Sequence, residues 1–216
     1  MKIKLLIIIT VITLSQLVAT DFTITRLKYG GGGDWYSDPS SLPNLLDFLQ
    51  NETNIKTASK EIKASIGSSD FYNNSYYYIT GHGKINFSNN EINILRDVLL
   101  NGAFLHADDN YGMDQTFREE MKKVFPEKDW VELPHDHKIF QIFYKFPSGL
   151  PKIHNHDGKS PKALALFHNE KIIALYTYET DLGDGWEGPA VHNMPIDLHT
   201  KALKMGTNII IYYLTN

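Results

Sequence analysis

The chain carries nine histidines, all between His82 and His199, and many of them stand beside acids. His106 precedes Asp108 and Asp109, Asp136 separates His135 from His137, and His154-Asn155-His156-Asp157 follows further on. In extended backbone a His-x-His pair puts both rings on one side, which suits a metal held by imidazole and carboxylate. Asp181-Leu182-Gly183-Asp184-Gly185-Trp186 offers carboxylate and carbonyl oxygens to a cation without the full spacing of a calcium loop. A single histidine is more often a surface or loop-capping residue, so it is the clustering that points to function. The Asp108-Asp109 pair has two readings. It is either a turn pair satisfying backbone amides or a functional carboxylate pair at the end of a strand.

The stretch from Tyr76 to Asp114 must position the first of these groups. Tyr76 to Thr80 is aromatic and β-branched, as a buried strand requires. Gly81-His82-Gly83 breaks it with a turn. Ser88 and Glu91 have capping-box spacing, which predicts a helix from about Asn89. Ile92, Leu95 and Leu99 then share a helical face, Asn101-Gly102 ends it, and Ala103 to Ala107 reads as a second short strand. Strand, helix and strand this close form a βαβ unit with parallel strands. Its two polar turns, at His82 and at His106 to Asp109, then lie beyond the strands' C-terminal ends, where open α/β sheets bind ligands.

Elsewhere, Phe22 to Tyr29 reads as the first strand and runs into Gly30-Gly31-Gly32-Gly33. That run is either a flexible loop or an anion cradle, and it lacks a P-loop ending. Helices are expected at Pro43 to Gln50 and Asp114 to Phe125, with a short edge strand within Asn54 to Ser65. Ala163 to Phe167 and Ile172 to Tyr178 flank Asn169-Glu170 as a hairpin. Thr180 to Pro195 reads as a long polar loop. In Ile196 to Leu214, the spacing of Leu203, Gly206, Ile210 and Tyr213 favours one long helix over a terminal strand. Pro134 to Pro161 and Thr180 to Pro195 are expected to lie over the ligand edge and bring His154, His156, Asp184 or His192 to it.

With 216 residues, 42% hydrophobic and 21% charged, the chain has the balance of one globular domain. Its net charge of −4 gives no reason to expect a nucleic-acid partner. The absence of cysteine excludes disulfides, thiolate metal sites and a cysteine nucleophile. There is no Gly-x-Ser-x-Gly elbow and no His-Glu-x-x-His motif, which disfavours lipase-type and common zinc-protease chemistry. Lys2 and Lys4 before the apolar run Leu5 to Leu17, with small residues near Val18 and Thr20, read as a signal peptide over residues 1–20. The run is short for a membrane span. A single α/β domain over residues 21–216 is the expected mature protein.

GAFLHADDNYGMDQTFREEMKKVFP, LPKIHNHDGKSP, LYTYETDLGDGWEGPAVHN and the terminal ALKMGTNIIIYYLTN together resemble the family called domain of unknown function 4159. The resemblance runs from about Phe22 to the end. It implies a three-layer, flavodoxin-like fold similar to class I glutamine amidotransferases: a mostly parallel sheet flanked by helices, with a C-terminal antiparallel hairpin. It also implies bacterial, exported or membrane-associated proteins, and it implies no reaction. That superfamily commonly places a cysteine nucleophile at a strand-to-helix elbow. The comparable place here holds His106-Ala107-Asp108, so glutaminase chemistry by that route is excluded.

The expectation is therefore an exported α/β protein with a polar cleft. His106, Asp108, Asp109 and His82 are the candidate catalytic groups. His154, His156, Asp184 and His192 are candidate ligands of a divalent metal, and Gly81, Gly83 and Trp186 are candidate ligand contacts. Trp35, Trp186, Tyr176 and Tyr178 form either an aromatic wall for a sugar or peptide or, more ordinarily, part of the core. Two functions fit. One is a metal- or carboxylate-assisted hydrolase acting on a small molecule or envelope polymer. The other is a non-catalytic binding or assembly module of an envelope protein complex. A periplasmic or cell-envelope location is expected with either.

Overall fold

A computed structural model describes residues 21–216. The expected signal peptide lies outside the described residues. The strands are β1 (Thr25–Lys28), β2 (Ile62–Ser65), β3 (Tyr76–Ile79), β4 (Phe104–Asp108), β5 (Val131–Glu132), β6 (Lys162–His168) and β7 (Lys171–Tyr178). The helices are α1 (Ser41–Glu52), α2 (Asn89–Leu100), α3 (Asp114–Val124), α4 (Leu182–Trp186) and α5 (Ile196–Thr215).

The strands form one seven-stranded sheet in the order β2-β1-β3-β4-β7-β6-β5. The pairings among β2, β1, β3, β4 and β7 are parallel, and the order of these five strands is that of flavodoxin-like sheets. β6 and β5 add antiparallel strands at the far edge. The expected hairpin is β6–β7, with His168 opposite Lys171. Asn169 and Glu170 both have positive φ, at 47° and 65°, as two-residue turns matching strand twist require.

Strand periodicity divides the core into two layers. Tyr76, Tyr78, Phe104 and Leu175 face α1, α4 and α5. Tyr77, Ile79, Leu105, Ala107 and Tyr176 face α2 and α3. The α2 start follows from its sequence, since the Ser88 side chain accepts from the Glu91 amide and the Glu91 side chain accepts from the Ser88 amide. The C-terminal segment is the long helix that its spacing indicated. Its β-branched residues fill the buried face of α5, where Ile209 and Ile210 are fully enclosed. Asn208, also buried, donates to the carbonyls of Ile139 and Tyr144 and accepts from the Tyr144 amide. One helix side chain thereby ties down the proline-rich segment before β6.

Two features differ from the sequence reading. Thr180 to Pro195 is not simply a loop, because it contains α4, and all five residues of that helix are buried. Gly183 and Gly185 allow this. A Cβ on Gly185 would stand 2.4 Å from the Ala202 side chain, so α4 meets α5 with backbone rather than side chains. Second, β4 continues through Asp108, which puts His106 inside a strand rather than in the turn after it.

Candidate functional site

The C-terminal edge of the sheet carries two separate polar groupings. The first lies at β1 and β3, where the strand order changes direction. The glycine run after β1 packs against the turn after β3: the Gly33 amide donates to the Lys84 carbonyl, and the Asn86 amide donates to the Gly30 carbonyl. A Cβ on Gly31 or Gly33 would come within 2.9 Å of backbone atoms of residues 82–86. The glycines are therefore used for close loop-to-loop packing, and the anion-cradle reading of Gly30 to Gly33 is corrected. Gly81 likewise lies against the Tyr29 hydroxyl and the Asp34 carbonyl, and the Gly83 amide donates to the Tyr111 carbonyl. His82 is exposed, with its Nδ1 3.0 Å from Asp34. This corner is a tightly packed pair of turns that leaves the His82 side chain exposed.

The second grouping lies beyond β4 and β7, and its construction starts with the backbone. The Ile153 amide donates to the Thr180 carbonyl, which seats residues 151–157 against the chain leaving β7. Lys152 forms an ion pair with the buried Glu179, and the other Glu179 oxygen accepts from the Asp157 amide. On the opposite side, buried Arg26 of β1 donates to the carbonyls of Ser37 and Asp38 and to Ser41 Oγ, which fixes the loop before α1. Glu187 accepts from the amide and hydroxyl of Ser40, joining that loop to the end of α4.

These anchors bring together three histidines and four carboxylates. His154 Nδ1 lies 2.6 Å from Asp184 Oδ2 and 3.5 Å from Asp181 Oδ2. His156 Nε2 is 3.0 Å from the same Asp181 oxygen. His192 places Nδ1 3.3 Å from Asp184 Oδ2 and Nε2 3.0 Å from Glu187. Two sets of ligand atoms, His154 with Asp181 and Asp184, and Asp38 with Asp184 and His192, are each contained within 4.8 Å. Asp184 is common to both. The buried Asp181 Oδ1 and His156 Nδ1 have no hydrogen-bond partner. Asp38, Glu179 and Asp181 all take positive φ, between 51° and 58°, a conformation non-glycine residues seldom adopt and one that gathers at functional sites. Asp181 stands at the N-terminus of α4 without capping it by its side chain, which is turned to the histidines instead.

The electrostatics follow from crowded acids with little water. Burial, followed by the neighbouring charges of Asp184 and Asp181, pushes the Asp38 carboxyl up to about 8. Burial and then Asp181 raise Asp184 as well. Burial also acts on Asp181, but hydrogen bonds from His154 and His156 outweigh it and hold this carboxylate below the usual value. The bond to Asp181 raises His154. For His156, burial pulls downward and the Asp181 bond and charge overcome it. The cluster thus holds protons that a divalent cation can displace.

Of the residues singled out in the sequence, His154, His156, Asp184 and His192 come together here. Asp108 lies behind them, where it accepts from the Gly183 amide at 2.6 Å and from Thr177 Oγ1 at 2.5 Å. It anchors the start of α4, in line with the amide-satisfying reading. Asp109 accepts from the Glu179 amide, and burial pushes it up to about 6. His106 is completely buried between Tyr76 and Thr177. Burial depresses it to about 3, so it stays neutral, and its assignment as a catalytic group is corrected to a core residue. Trp186 is also corrected. It is fully buried against Tyr78 and His106, with its indole N–H donated to the Ala202 carbonyl, so it offers no wall to a ligand. His135 and His137 lie elsewhere, the latter capping a 3-10 turn.

Asp38 and Glu187 were not visible as site residues. Asp38 precedes a proline and reads as a turn before α1, and Glu187 follows the Gly-Asp-Gly-Trp run without a motif of its own. Only the docking of the α1 loop onto α4 reveals them. A cavity of about 610 Å³ lies at the opposite end of the sheet, lined by Phe104, Ile172, Tyr213 and their neighbours. It contains none of the clustered acids.

Fold and site define a flavodoxin-like α/β protein with a histidine–carboxylate centre, its acids buried and its histidines part-exposed, beyond the C-terminal ends of its central strands. The chain belongs to the family described as Domain of unknown function (DUF4159), which matches residues 23–214. No curated protein matches it significantly. No helix among the described residues is long and apolar enough to cross a membrane.

Proposed function

We propose that this chain is a metal-assisted hydrolase, exported to the cell envelope and acting on material there. The observation that carries the metal reading is Asp181. Its carboxylate is 1% exposed, has one oxygen without a partner, and lies within ligand distance of His154 and Asp184. Imidazole and carboxylate donors without thiolates suit borderline or hard divalent cations such as Zn²⁺ or Mn²⁺. Such a cation supplies Lewis acidity and lowers the pKa of a bound water. Asp109, which accepts from the Glu179 amide and is pushed up to about 6 by burial, would be able to hold or take up a proton near neutrality. The basic start and short apolar run before residue 21 support export.

The test is metal analysis of purified mature protein, followed by ester and glycoside hydrolysis with and without chelator. Bound metal with chelator-sensitive turnover supports the proposal. The rival reading, a non-catalytic binding or assembly module, draws on the dense pairing of the histidines with carboxylates, which closes the site without a cation. Ligand retention with no turnover of any substrate class would select it.

A further inference from the structure

The geometry points to two divalent cations in this centre, held on either side of Asp184, rather than one. This rests on the metal-binding reading above and goes beyond it in stoichiometry and in the role of Asp38. The first position takes His154, Asp181 and Asp184, and the second takes Asp38, Asp184 and His192. Asp184 belongs to both sets, and its Oδ2 faces both His154 and His192. His156 and Glu187 stand at the two ends, beside Asp181 and His192 respectively.

Three observations favour a pair. The centre offers seven donors, more than the tetrahedral set of one structural zinc. Its charge also calls for two ions. Asp38, Asp181, Asp184 and Glu187 are all buried, and the nearby cations are committed elsewhere, Lys152 to Glu179 and Arg26 to loop carbonyls and Glu61. With the histidines neutral and all four acids acting as ionised ligands, two dications balance the four negative charges, whereas one dication balances two and leaves the others to be met by retained protons. Uncompensated buried charge is costly. Finally, Asp181 of the first set keeps an unpartnered buried Oδ1, and Asp38 of the second is held only by a long contact, 3.4 Å, from Ser37 Oγ and by a hydrogen bond with Asp184, itself a member of both sets.

Mn²⁺ titration of chelator-stripped full-length mature protein tests this, with stoichiometry read by calorimetry and native mass spectrometry and coupling read by electron paramagnetic resonance. Wild type is expected to bind two Mn²⁺ per chain with an exchange-coupled spectrum. Asp38→Ala and His154→Ala are each expected to bind one, with an uncoupled spectrum and circular dichroism like wild type. His192→Ala serves as the second variant at the Asp38 position if Asp38→Ala misfolds. One Mn²⁺ per wild-type chain, uncoupled, would overturn the two-cation proposal and leave the single-metal hydrolase reading intact. No binding of any divalent cation would overturn both.

Discussion

One oxygen of Asp184 faces two imidazoles that come from different loops: Oδ2 lies 2.6 Å from His154 Nδ1 and 3.3 Å from His192 Nδ1. A single carboxylate therefore joins the segment before β6 to the segment after α4. It sits on a helix whose start is held by Asp108 through the Gly183 amide.

Asp184→Asn is expected to abolish tight metal binding and to reduce hydrolysis by more than ~100-fold, since outer partners of metal ligands alone are worth about 10–100-fold. The fold should persist, because the amide is isosteric and its burial relieves like-charge repulsion. Metal content, turnover and a urea melt of the same preparation check this. Unchanged metal content would count against the centre.

The metal-free protein is expected to lose stability as pH rises from about 6.5 to about 8. Asp38, raised to about 8, and His154 and His156, also raised, hold protons in the folded state that the unfolded chain has released. A raised folded-state pKa gives stability that is present at low pH and lost as pH climbs through that value. His106, depressed to about 3, is neutral in the folded state throughout, and its opposing contribution fades as the unfolded-state imidazole, with a pKa of about 6.5, finishes losing its proton in the lower half of the window. Asp181, Glu179 and Glu187, all lowered, are ionised in both states. Each retained proton contributes a slope of up to about 1.4 kcal/mol per pH unit. Asp38→Asn should flatten the profile, and added Zn²⁺ or Mn²⁺ should reverse it. Urea melts at several pH values, with chelator present, measure the slope. A stability that rises with pH in chelator would contradict the assignment.

His106→Leu should cost about 1–3 kcal/mol, because the Tyr76 and Thr177 hydroxyls each lose a buried partner. Metal stoichiometry should be unchanged. Chemical denaturation and metal analysis separate the two effects, and loss of turnover at full stability would restore His106 to the reacting groups.

Trp186→Ala should be among the most destabilising substitutions, at about 3–5 kcal/mol. The indole fills the space bounded by Tyr78, His106 and Gly206, and its N–H has a buried carbonyl partner. A thermal melt gives the answer, and a near-neutral result would mean that the ring is not core.

Sequence alone determined the features whose causes are local. The α2 boundary is set by the Ser88–Glu91 box, and the hairpin by a two-residue turn between alternating strands. The βαβ unit follows from polar turns that interrupt apolar runs, and the C-terminal helix from its spacing. The C-terminal edge of the sheet was legible too, since parallel topology places the turns after β3 and β4 there. Which histidine and aspartate belong to the site was not local information. His106 and Asp108 look alike on paper as polar residues ending an apolar strand. They differ because β4 runs on to Asp108 and buries His106 under Trp186, while α4 turns its amides to Asp108. Asp38 and Glu187 acquire their place only when α1 packs beside α4, and Asp181 only when residues 151–157 pair with Thr180. The glycine run and Trp186 fooled the sequence for the same reason. A flexible loop and a packed one share a composition, as do an exposed ring and a buried one, and only the tertiary contacts decide which burial is paid back by a partner.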